Sequence, residues 1–148
     1  MSTSLQKILK KIKTGSNVIE LQGLSGSSKA LVLSMLSKVT EQHAKKIMPL
    51  VVVCESFDVA EVLLNDLYYF LGKEGVHFFP FWDVLPFDNF SPHKGLVAQR
   101  FRTLDALLNA EVRVLITTPN GMMQRFLPRS AFQKNTFSLS TDFVGGKQ

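Results

Sequence analysis

The feature that most constrains this chain is a rhythm. Short apolar runs alternate with longer segments of helical periodicity. Val18-Ile19-Glu20-Leu21, Leu50-Val51-Val52-Val53-Cys54, Val76-His77-Phe78-Phe79 and Arg113-Val114-Leu115-Ile116-Thr117 read as strands. Between them, the pattern predicts helices over about 29–46, 57–71 and 96–109, with a short one from Pro119 through Arg125. In the 57–71 segment Ala60, Leu63, Leu64, Leu67 and Leu71 share one face, Asp58 and Glu61 lie in the first turn, and Gly72 follows the last turn. An amphipathic helix with Leu5, Ile8, Leu9 and Ile12 on one stripe opens the chain. Strands alternating with helices of this length imply βαβ units. The predicted fold is therefore α/β, a three-layer and mostly parallel sheet with helices on both faces. The unbroken run Leu50–Cys54 is what a strand buried on both sides requires.

A length of 148 residues suits one domain, and 45% hydrophobic residues can build a core. The single cysteine, Cys54, excludes a disulfide framework and a cysteine-based zinc cage. No run of about 18 apolar residues is present, so no transmembrane helix and no membrane partner is expected. Met1–Lys13 lacks the apolar region of a signal peptide, and a cytoplasmic location is expected. Charge is uneven. Residues 1–46 hold eight basic and two acidic groups, 47–88 one and seven, and 89–148 eight and three. No block of five like charges occurs, so the acidic middle can fold against the basic ends. His43, His77 and His93 lack metal-ligand spacing, and no metal site is assigned. G-x-S-x-G is absent, and no catalytic residue is assigned.

The first predicted strand runs into Gly23-Leu24-Ser25-Gly26-Ser27-Ser28-Lys29-Ala30 and then a helix. Strand, small-residue loop and helix form the arrangement that holds phosphates on backbone N–H groups, with a lysine reaching the terminal phosphate. The full pattern is G-x-x-x-x-G-K-[ST]. Gly23 and Lys29 fit it. Ser28 replaces the second glycine, and Ala30 replaces the hydroxyl that would ligate magnesium. Glu55 is the acid nearest a strand end, but it follows the strand directly after the loop helix, whereas the metal-binding acid lies on a later strand in such folds. The loop therefore reads as a degenerate phosphate loop. Gly23, Gly26, Ser27, Ser28 and Lys29 are its candidate nucleotide- or anion-binding residues, and a tight turn capped by Ser27 or Ser28 is the competing reading.

The most distinctive stretch runs from Phe78 to Pro92, with six aromatics in residues 78–90. Such residues could stack bases. Asp83 and Asp88, with no neighbouring lysine or arginine, favour packing instead. The run F-P-x-W-D-x-L-P-F-D-x-F-S-P, carried by Phe79, Pro80, Trp82, Asp83, Leu85, Pro86, Phe87, Asp88, Phe90, Ser91 and Pro92, precedes Arg100, Leu104 and Leu107. Together with G-L-S-G-S-S-K-A upstream and V-L-I-T-T-P-N-G-M-M-Q-R-F-L-P-R downstream, it resembles the N-terminal, UvrB-like module of the bacterial transcription-repair coupling factors (the Mfd family). The resemblance covers about residues 4–130.

The resemblance implies a degenerate P-loop NTPase-like domain, similar to the first domain of UvrB, over residues 1–130. Residues 131–148 would be the truncated start of a following domain of the UvrA-binding type. The family's long chains push stalled RNA polymerase off DNA with an ATP-driven translocase and recruit UvrA for nucleotide excision repair. Polymerase, DNA, ATP and magnesium would be handled by modules outside this stretch, and UvrA mainly by the following domain. The segment itself would then be a non-hydrolysing scaffold, not an enzyme, with no cofactor and with the rest of its parent chain as partner. Lys29, kept where Ser28 and Ala30 are lost, leaves a nucleotide-binding ATPase or helicase fragment as one alternative. A basic DNA-binding module using Lys7, Lys10, Lys11, Lys13 and the basic C-terminal third is the other.

Overall fold

A computed structural model describes residues 7, 8, 10–12, 14, 18–43, 48–84 and 91–136. Among the described residues three strands, β1 (Leu50–Val53), β2 (Val76–Phe79) and β3 (Val114–Thr117), form one sheet in the order β1-β3-β2. Both pairings are parallel. The register aligns Val51, Leu115 and His77 in one row and Val52, Ile116 and Phe78 in the next. Side chains of one row point the same way, and successive rows alternate.

One face carries Val76, Phe78, Val114 and Ile116. It is covered by α1 (Ser28–His43) and α2 (Phe57–Leu71), which contribute Ala30, Ala60, Leu63 and Leu67 to a single core cluster. The α2 boundaries match the sequence pattern. The hydroxyl of Ser56 accepts from the Val59 N–H at 3.3 Å and caps the start. Gly72, at φ 79°, ends the helix in a conformation that favours glycine. The opposite face, which carries Phe79, is covered by α3 (Lys94–Leu108). The α/β class with helices on both faces is thus present, and all three described strands are parallel.

Three expectations differ from the structure. Residues 18–25 form no strand; Val18 is 82% exposed and Leu21 39%. Among the described residues no strand lies in register beside them, and pairing requires a neighbour as well as propensity. The run at β1 is not buried on both faces, since Val51 and Val53 are each 49% exposed. β1 lies at the sheet edge, whereas α3 packs over β2 on that side. A helix, α5 (Arg129–Asn135), follows the short α4 (Pro119–Met123), although the pattern signalled none. Buried Phe132 of α5 stacks on Phe101 of α3 with centroids 5.6 Å apart. The strand expected from Phe137 lies outside the described residues, as do Leu85, Pro86, Phe87 and Asp88.

Candidate functional site

In parallel α/β sheets ligands bind beyond the carboxyl ends of the strands. Two groups of residues lie there. The first faces the end of β1. Gly23 and Gly26 have φ of 78° and 51°, so the Gly23–Lys29 loop turns through positions that suit glycine. The Ser28 hydroxyl donates to the Ser25 carbonyl at 2.6 Å, and the Ser28 N–H donates to the same oxygen at 3.2 Å. The loop is thereby closed on itself. Ser28 is the first residue of α1, so its side chain ties back the turn that opens the helix.

Gly26, Ser27 and Lys29 line one wall of a cleft of about 890 Å³; Leu33 of α1, Cys54 after β1 and Asp58 of α2 contribute to others. Lys29 is exposed, and its charge reaches buried Cys54. Burial pushes the Cys54 thiol above its ordinary range; Lys29 opposes that rise and Glu55 adds to it. Ala30 is fully buried in the core cluster. The position that carries the magnesium-ligating hydroxyl in a complete phosphate loop is here a methyl group packed among Cys54, Ala60 and their neighbours. Among the described residues, no group of three or more His, Cys, Asp and Glu side chains is placed to hold a metal ion.

The second group lies beyond β2. Arg100 of α3 is 2% exposed. Its guanidinium lies over the rings of Phe79 and Trp82, 4.2 and 4.4 Å from their centroids. Nη1 donates to the Pro80 carbonyl and, at 3.3 Å, to Gln124 Oε1. That Gln124 oxygen also accepts from the Trp82 N–H at 2.6 Å, and the Gln124 amide donates to the Trp82 carbonyl at 3.5 Å. Burial lowers the pKa of Arg100 from the ordinary guanidinium value, which stays far above neutrality. Arg100 Nη2 is buried and has no hydrogen-bond partner among the described residues. Asp83 is exposed and accepts from the His93 N–H at 3.4 Å. Ser91 and Pro92 follow on the surface side of this group, Ser91 exposed and Pro92 half-buried.

The structure therefore joins Phe79, Pro80, Trp82 and Arg100 in one contact network. It places Gly26, Ser27 and Lys29 on a separate cleft. Gln124 was not among the sequence candidates. Its partner is 42 residues away, and its only sequence signal is its place in the downstream string that carries the family resemblance.

Comparison with known proteins bears on both groups. A transcription-repair-coupling factor of Haemophilus influenzae is 31% identical over 100 residues, which is 68% of this chain and 8% of that protein. The Escherichia coli factor is 30% identical over 101 residues, with the same two shares. A Staphylococcus aureus factor is 26% identical across 86% of this chain and 11% of its own length. This chain is related to the transcription-repair-coupling factors. No family model matches it. The chain spans about a tenth of the length of these coupling factors. Among the described residues, no helix is long and apolar enough to cross a membrane.

Proposed function

We propose that this chain serves transcription-coupled nucleotide excision repair as a non-hydrolysing scaffold segment of a coupling factor. Its relatives carry that name. In this reading the segment corresponds to an N-terminal, UvrB-like module and works in the cytoplasm. The remainder of a parent chain would supply the translocase, its ATP and magnesium, and the contacts to polymerase, DNA and UvrA. The segment would hold the UvrA-binding domain in place and pack against the motor.

The observation that carries the non-hydrolysing part is the burial of Ala30. Phosphoryl transfer relies on a metal ion to neutralise charge on the transferred group. A methyl group sealed in the core offers that ion no ligand. The Ser28–Ser25 hydrogen bonds support the same reading, because they occupy groups of the loop that would face a phosphate. Lys29, at the cleft, favours weak anion binding as a second property.

The deciding measurement is ATP turnover by the purified chain with magnesium. No turnover above buffer is expected, for the wild-type chain or for Lys29→Ala. Magnesium-dependent hydrolysis abolished by Lys29→Ala would overturn the scaffold reading in favour of an ATPase fragment. Duplex DNA binding that falls steeply with salt would favour the basic module instead, since phosphate contacts release counterions.

A further inference from the structure

The buried Arg100 guanidinium is incompletely matched. Among the described residues, both acceptors of its Nη1, the Pro80 carbonyl and the Gln124 amide oxygen, are neutral, and Nη2 has none. A charged donor buried without a partner is costly. Arg100 also forms part of the wall of a hollow of about 350 Å³, near the lower end of the range for small-ligand sites, about 300 Å³. Trp82, Leu104, Phe126 and Leu127 supply apolar walls, and exposed Arg125 adds a second guanidinium. The remaining wall residue is Phe101, whose ring stacks on Phe132 and is not free to close the space.

We propose that this hollow is a binding site for a ligand with an apolar body and one carboxylate. The carboxylate pairs with exposed Arg125, the buried Arg100 cation in the wall adds its field, and the body packs between Trp82 and Phe126. Guanidinium and carboxylate share a planar, forked geometry. A polyphosphate or nucleic-acid backbone suits the site less well, because among the described residues its walls are mainly aromatic and aliphatic and only two cations line it. Neither the repair role nor the loop at Lys29 enters into this assignment.

Trp82 is the chain's single tryptophan, so its fluorescence reports the site directly. Two carboxylate probes are titrated, free 3-phenylpropionate and the blocked peptide acetyl-Leu-Glu-Leu-amide. Their neutral counterparts are 3-phenylpropionamide and acetyl-Leu-Gln-Leu-amide. At least one carboxylate probe is expected to bind about tenfold tighter than its neutral counterpart, the size of a charge-assisted hydrogen bond. Tighter binding of phenylpropionate marks a small-molecule ligand, and tighter binding of the peptide marks an acidic protein segment. Arg125→Gln changes an exposed residue and leaves the core intact; it is expected to weaken the carboxylate probe about threefold or more, a rim-charge effect. Equal binding of charged and neutral probes, or no saturable change with any probe, overturns the proposal. So does an unchanged affinity in Arg125→Gln. Displacement of phenylpropionate by micromolar oligo-dT would assign the site to nucleic acid instead, and would equally overturn it.

Discussion

The two residue groups beyond the strand ends are built by opposite means. The Gly23–Lys29 loop is a local object. Its hydrogen bonds run between neighbours three residues apart, its glycines take positive φ, and Lys29 is exposed. The Arg100 group is a long-range object. It joins α3, the end of β2 and the segment after α4 through one buried side chain and one amide. The first matches a phosphate-loop pattern in part and departs from it at Ser28 and Ala30. The second has no named motif and holds three elements together. A motif is a statement about neighbours in sequence, whereas a buried charge must be satisfied by whatever the fold brings near it.

Substitution separates the two regions. Arg100→Ala removes a buried cation, its two ring contacts and its bonds to Pro80 and Gln124. A loss of about 2–5 kcal/mol, from the cavity left behind and the acceptors left unsatisfied, is expected, read as a lowered urea midpoint with Trp82 as the probe. A loss below about 1 kcal/mol, the scale of an ordinary surface change, would mean that the network is not a structural tie. Gly121→Ala tests the same region from the β3 side. A Cβ there would lie 2.6 Å from Thr117 Oγ1, whose hydroxyl donates to the Phe79 carbonyl at 2.9 Å. The expected cost is about 1–3 kcal/mol, as for overpacking, and a neutral result would show that Thr117 can turn away freely. Lys29→Ala sits at the other extreme. Its side chain is exposed at an open cleft, so a change within about 0.5 kcal/mol is expected. A larger loss in denaturation would make the loop a structural tie and erase the contrast.

What could be read from the chain alone follows the same division. The α2 span was legible because its signals agreed: early acids, apolar residues at helical spacing and a closing glycine. The strands at residues 50–53, 76–79 and 114–117 were legible as β-rich apolar runs. Residues 18–21 have a similar pattern and still form no strand, since pairing requires a neighbour in register as well as propensity. α5 gave little warning, because a seven-residue helix is marginal by itself and Phe132 is buried by stacking on Phe101. Gln124 could not be read at all as a partner of Trp82.

By itself the sequence determined the α/β class, the parallel sheet, the departure of residues 23–30 from the phosphate-loop pattern at Ser28 and Ala30, and the likeness to coupling factors. Those properties depend on residue type and on spacing along the chain. Only the tertiary structure decided that Ala30 lies in the core, that Val51 and Val53 face outward from an edge strand, and that Arg100 is buried between two rings with one nitrogen unmatched. Burial and hydrogen-bond partnership belong to the whole packed chain, because water is excluded, and acceptors are supplied, by residues far away in sequence.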